Sequence, residues 1–145
     1  NASILGVQQV PMENVSRSGI IEADTIGNRL YSVKSLVEKP IESKAPSNLA
    51  IMGRYILNPA IFNILAELEP GAGEEIQLTD ALSRLNKYEA IYAYDFDGVR
   101  YDVGEKMGFI QTTIEMALTH RDLREELLNY ISIVFEREFS SQKLT

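Results

Sequence analysis

The chain has 145 residues, 45% of them hydrophobic and 24% charged, with a net charge of −7. That balance is ordinary for a globular domain with a real core. The acidity argues against a broad nucleic-acid surface, which needs a basic face, and leaves room for a small phosphate pocket served by a few local cations. The absence of cysteine excludes disulfides and thiolate metal sites and is compatible with a cytoplasmic protein.

No run approaches the roughly 18 apolar residues of a membrane span, and Asn1-Ala2-Ser3-Ile4 lacks the basic start of a signal peptide. A membrane partner is not expected. Residues 3–10 read as a strand that begins almost at once, without an initial Met. A natural start usually leaves loose residues first, so the expectation is a piece of a longer protein.

Residues 13–18 are polar and loop-like. Residues 19–22 and 30–37 read as a hairpin, with Asp24, Gly27 and Asn28 in a turn between them because these residues tolerate positive φ. Pro40 ends the second strand by removing a donor and fixing φ. Residues 41–48 form a loop, and residues 49–56 a strand with Gly53 inside it. Asn58-Pro59 starts a helix that Pro70-Gly71 stops.

A second helix covers residues 76–85. Residues 90–96 are a strand, and Asp97-Gly98 is the strongest hairpin signal in the chain, predicting a return strand over 99–103. An amphipathic helix follows over 106–119, with Phe109, Ile110, Thr113, Ile114, Ala117 and Leu118 on its buried side. His120-Arg121 breaks it, and Asp122 with Glu125 makes a capping-box start for a last helix. Strands mixed with helices in this order give an α/β or α+β domain.

The residues able to carry chemistry sit at element ends. Glu38 accepts hydrogen bonds of the kind sugar hydroxyls offer, and Lys39 offers a point charge to a phosphate. The alternative is a surface ion pair of little energetic weight. Gln77, Thr79 and Asp80 either cap a helix or face a ligand. Asp102, followed closely by Gly104, is either a turn aspartate or a hard oxygen ligand suited to Mg²⁺. His120, the single histidine, reads as a helix-end residue. No serine stands in a nucleophile elbow, which disfavours Ser-His hydrolysis.

Val37-Glu38-Lys39-Pro40, Pro46-Ser47-Asn48-Leu49-Ala50-Ile51-Met52-Gly53-Arg54-Tyr55, Gly71-Ala72-Gly73-Glu74-Glu75-Ile76-Gln77-Leu78-Thr79-Asp80 and Tyr101-Asp102-Val103-Gly104 come in a familiar order and spacing. Over residues 6–130 the chain resembles bacterial UTP–glucose-1-phosphate uridylyltransferase. The 71–80 segment separates that group from the related glucose-1-phosphate thymidylyltransferases.

The resemblance implies a Rossmann-like nucleotidyltransferase fold of the α/β class, a mixed sheet with flanking helices, of which this chain is the C-terminal part only. Residues 1–138 would be its sugar-phosphate-binding portion and 139–145 a flexible tail. The reaction implied is glucose 1-phosphate plus UTP giving UDP-glucose and pyrophosphate, with Mg²⁺.

Carried over by motif, Glu38 holds sugar hydroxyls and Lys39 contacts the phosphate of glucose 1-phosphate. Gly19 contacts the sugar, Ile51 and Tyr55 line its pocket, and Asp102 binds the metal. Lys39 and Asp102 are thus the implied catalytic residues, and Gln77 and Asp80 stand behind the site. Ser18 departs from the aromatic residue the family usually has before Gly19.

The family's Gly-rich nucleotide loop, the lysine after it and the first metal aspartate have no counterpart here. UTP would be bound mainly by that missing N-terminal half, and the chain alone is expected to be inactive. A thymidylyltransferase-like enzyme stays open, as does a non-catalytic module of the same ancestry. Exposed sheet edge and apolar surface, with self-association into a homo-oligomer through the helices from Lys106 onward, are also expected.

Overall fold

The computed structural model describes residues 2–71 and 74–142. Asn1, Ala72 and Gly73 at the centre of the glycine-rich loop, and residues 143–145 of the expected tail lie outside the described residues. The chain divides into two compact units, Asn1–Gly98 and Val99–Thr145.

The described residues of the first unit form five strands: β1 (Ser3–Gln9), β2 (Gly19–Gly27), β3 (Leu30–Glu38), β4 (Leu49–Ile56) and β5 (Ile91–Asp95). They run in the order β1-β4-β2-β3-β5 and close into a barrel, because β5 returns to pair with β1. That closing pair is parallel and the other four are antiparallel. Helices α1 (Ala60–Ala66) and α2 (Leu78–Leu85) flank the strands. The result is the mixed sheet with flanking helices that the sequence implies.

Burial follows the two-residue period of a strand. On β1, Leu5 and Val7 are buried while Ile4 is exposed. Where β2 and β4 meet, consecutive residues are buried: Ile20 and Ile21 on one strand, Leu49, Ala50 and Ile51 on the other. Both faces are covered there. Ile21, Leu49 and Ile51 join the main core with Ile61, Leu82 and Leu85 from the helices. Ile20 and Ala50 join Val15, which a 3-10 segment at Met12–Arg17 supplies.

The Pro46-Ser47-Asn48 motif fastens the loop before β4. The Ser47 hydroxyl donates to the Ile21 carbonyl at 2.6 Å and accepts from the Leu49 amide at 2.9 Å. The Asn48 side chain donates to the Val10 carbonyl at 3.1 Å.

Several sequence expectations are corrected. The β2–β3 hairpin is present, but β2 runs on to Gly27, and the turn is Asn28-Arg29 with Arg29 at φ 58°. Thr25 and Ile26 suit a strand by β-branching, and Asp24 pairs with Lys34 across the ladder at 2.7 Å. No strand forms over 99–103. Both edges of β5 are taken, by β1 and by β3, so a returning strand has no free edge to join. The expected open sheet edge is reduced but not abolished: every strand has a neighbour on each side, yet β2 and β4 pair only at Ile20–Ala50 and Ile21–Leu49, which leaves the rest of that seam open.

In the second unit, α3 (Lys106–Thr119) and α4 (Arg121–Gln142) pack on each other. Asp122 lies inside the first turn of α4 rather than capping it. The His120 carbonyl accepts from Leu123 and Arg124 instead, so the helix starts earlier. It also continues through Gln142, into the expected tail. The face of α3 expected to be buried is largely open, with Phe109 59% and Ile110 52% exposed. Two helices shield only the stripe between them, and no residue of 99–140 is buried.

Candidate functional site

The site grows from the β2–β3 ladder, whose register sets Gly19 opposite Glu38. One residue later the chain turns sharply. Lys39 has φ 42°, a left-handed conformation rare for a residue with a Cβ and disfavoured further before proline. Its amide donates to the Ser18 carbonyl at 3.1 Å, and Pro40 after it is buried. The surroundings therefore hold a conformation that costs about 1–3 kcal/mol, the kind of strain that collects at functional sites.

Glu38 and Lys39 are treated differently by the fold. The Glu38 side chain is 23% exposed and that of Lys39 61%. Glu38 Oε2 accepts from the Thr79 hydroxyl at 2.5 Å. Glu38 Oε1 lies 4.0 Å from Lys39 Nζ, too far for a hydrogen bond. The two make a loose ion pair without a hydrogen bond, and the ammonium stays largely exposed.

Gly19 marks the point of convergence. A Cβ placed there would meet Thr79 Oγ1 at 3.0 Å, Glu38 Oε2 at 3.1 Å and Ile51 Cδ1 at 3.2 Å. Two polar groups and one apolar group from β3, α2 and β4 therefore border the same small space. Only glycine leaves that space open.

Tyr55 reaches the same region through an irregularity in β4. Leu5 and Val7 on β1 oppose Tyr55 and Ile51, so between these pairs Gly6 on β1 faces three residues, Met52, Gly53 and Arg54, on β4. Gly53 inside that bulge has φ 71°, which suits glycine. The Tyr55 phenol is held above its ordinary range, first by burial and then by the negative charge of Glu38. The structure thus brings Gly19, Glu38, Lys39, Ile51 and Tyr55 into one neighbourhood.

The residues before and in α2 divide their roles. Gln77 contributes its backbone, its carbonyl accepting from Asp80 and Ala81. Asp80 faces the loop, with a Cβ on Gly71 falling 3.1 Å from Asp80 Oδ2. Thr79 is the one that touches Glu38, and sequence reasoning passed over it as a cap. Its position held a clue. Thr79 shares the buried stripe of α2 with Leu82 and Leu85, and a polar residue on such a stripe needs a partner.

Asp102 belongs to the second unit. Its Oδ2 is 3.2 Å from Arg100 Nη2, and its Oδ1 accepts from the Gly104 amide at 3.2 Å. A Cβ on Gly108 would land on the Asp102 carbonyl oxygen. Among the described residues, no group of three or more His, Cys, Asp or Glu gathers to hold a metal. A single half-exposed carboxylate suits Mg²⁺ when substrate phosphates and water supply the remaining oxygens. His120 is the one residue between α3 and α4, as its helix-end reading implies.

A nucleotidyl transferase family model matches residues 2–118. The chain is 53% identical to the UTP–glucose-1-phosphate uridylyltransferase of Bacillus subtilis (strain 168) over 94% of this chain and 47% of that protein. It is 56% identical to the enzyme of the same name from Staphylococcus haemolyticus (strain JCSC1435), over 89% of this chain and 45% of that protein. Among solved structures, a UDP-glucose pyrophosphorylase complexed with UDP-glucose superposes with a TM-score of 0.79 at 44% identity, covering 82% of this chain and 45% of that one. The chain spans about half the length of the curated relatives it matches.

Proposed function

The chain belongs to the nucleotidyl transferase family, and from that premise we propose that it forms the glucose 1-phosphate side of an enzyme joining that sugar phosphate to UTP. The products are UDP-glucose and pyrophosphate. One observation carries the reading: Gly19, Glu38, Thr79 and Ile51 converge on a small space beside a lysine whose exposed ammonium is only loosely paired with Glu38.

In the reaction, the phosphate oxygen of glucose 1-phosphate attacks the α-phosphorus of UTP and pyrophosphate leaves. Glu38 Oε1 accepts from a sugar hydroxyl and fixes the ring. Gly19 lets the sugar approach the strand, and Ile51 and Tyr55 wall the pocket. Lys39 holds the sugar phosphate and offsets its charge, so that positioning and charge neutralisation carry the catalysis. Asp102, in the second unit, would be the residue of this chain that holds a magnesium ion, whose chemistry is to neutralise phosphate charge.

The cytoplasm is the compartment we propose for this step, in keeping with a chain that holds no cysteine. Among the described residues no helix is long and apolar enough to cross a membrane. Apolar side chains left open on α3 and α4, such as Met107 and Ile133, support assembly into a homo-oligomer.

Calorimetric titration tests the reading. In the full-length enzyme, Lys39→Ala should weaken glucose 1-phosphate binding about tenfold or more and leave UTP binding unchanged. Equal loss for both ligands, or none for either, would remove Lys39 from this role.

A further inference from the structure

We infer that Thr79 is a positioning residue of this site: its hydroxyl ties down one oxygen of the Glu38 carboxylate and thereby presents the other to a sugar hydroxyl. The inference rests on the glucose 1-phosphate reading and deepens it.

Thr79 is 6% exposed, and no side-chain bond caps the α2 N-terminus. Its hydroxyl therefore serves Glu38, 41 residues away in sequence. A hydroxyl on a carboxylate is a short, charge-assisted bond. Glutamate has three side-chain torsions, and holding Oε2 removes most of that freedom before any ligand arrives. Less entropy is then lost on binding.

The geometry also separates the two oxygens. Oε2 faces Thr79 and the open Cα of Gly19, and Oε1 lies on the Lys39 side. A sugar phosphate seated there meets an acceptor and a cation in a fixed relation. Without the Thr79 bond, Glu38 could close the 4.0 Å gap to the Lys39 ammonium and lock both groups into a tight surface ion pair. On this view Thr79 decides between a binding wall and that pair.

The test compares Thr79→Val, which keeps the shape and deletes the hydroxyl, with Thr79→Ser, which keeps the hydroxyl. Each is titrated calorimetrically with glucose 1-phosphate and, separately, with inorganic phosphate. Thr79→Val should lower glucose 1-phosphate affinity about tenfold while phosphate binding stays within about twofold. Thr79→Ser should restore glucose 1-phosphate affinity to within about threefold. In a Glu38→Ala background, Thr79→Val should have no further effect.

Should the valine variant fail to fold, Thr79→Ala gives the same comparison. Wild-type affinity in Thr79→Val, equal loss of both probes, or a serine variant as weak as the valine one would each overturn the inference. If the wild-type chain binds no glucose 1-phosphate, the functional reading falls with it. If it binds and Thr79→Val matches it, only the role of Thr79 falls.

Discussion

The strand barrel and the helical pair draw on similar apolar residues and use them in opposite ways. In the barrel, Leu5, Val7, Ile20 and Ile21 are fully buried. On the helices, Met107 is 64%, Tyr130 63% and Ile133 62% exposed. A barrel strand buries alternate residues against helices and neighbouring strands at once. A helix packed on a single partner covers one stripe. α4 carries apolar residues on more than one face, including the stacked rings of Phe135 and Phe139 at 4.2 Å. A helix apolar on several sides is one made to be covered by more than one neighbour. The barrel is finished as a core, and the helical pair leaves much of its apolar surface open.

The sharpest way to break this contrast is to truncate one side chain in each unit. Leu82→Ala removes a fully buried core residue and should cost about 2–5 kcal/mol in denaturant unfolding. Phe135→Ala, at a position 56% exposed, should cost under about 1 kcal/mol and should instead shift sedimentation toward smaller species. Similar unfolding losses for both would mean that the helices hold a core after all.

Gly19→Ala probes the barrel where its packing meets the site. The new methyl would press on Thr79, Glu38 and Ile51, an overpacking worth about 1–3 kcal/mol. Glucose 1-phosphate binding should fall more than that stability change alone would cause. Unchanged binding would show the space to be packing only.

The smallest effect is spectroscopic. Tyr55 is one of seven tyrosines, and its phenol is raised above the ordinary 10.0 by burial and by Glu38. A raised pKa in the folded state contributes stability below pH 10 that is lost as pH climbs through the shifted value. Ultraviolet titration should find a phenol ionising late, and Glu38→Gln should bring it back partway. A Glu38→Gln titration that overlays the wild type would separate the two residues.

Much of this was legible in the sequence. Residues 49–56 and 106–119 match β4 and α3 to the residue, because an apolar run in the one and helical spacing in the other coincide with clear stops at their ends. Pro40 announced the end of β3 and so placed Glu38 and Lys39 at a strand terminus. Asp97-Gly98 misled because a local turn signal carries no information on whether β5 has an edge to spare. Thr79 was missed for a related reason: its partner lies on another element, and from the helix alone it resembles a cap. The exposed side of α3 was misjudged because periodicity identifies an apolar face and not whether that face is covered.

Closure of the barrel by β1 against β5 also shapes how the protein is made. The bond between Gln8 and Phe96 joins residues 88 apart, and the parallel closing pair spans a similar length of chain. Contacts this distant in sequence slow folding, since the loop entropy is lost before the pairing is gained. At roughly 5–20 residues per second of synthesis, β5 follows β1 by several seconds, and until then the closing ladder cannot form. During that interval the nascent chain is a candidate for holding chaperones and for pairing with the wrong strand. The last residues of β5 therefore act as a latch, and their arrival on the ribosome sets when the first unit stops being vulnerable.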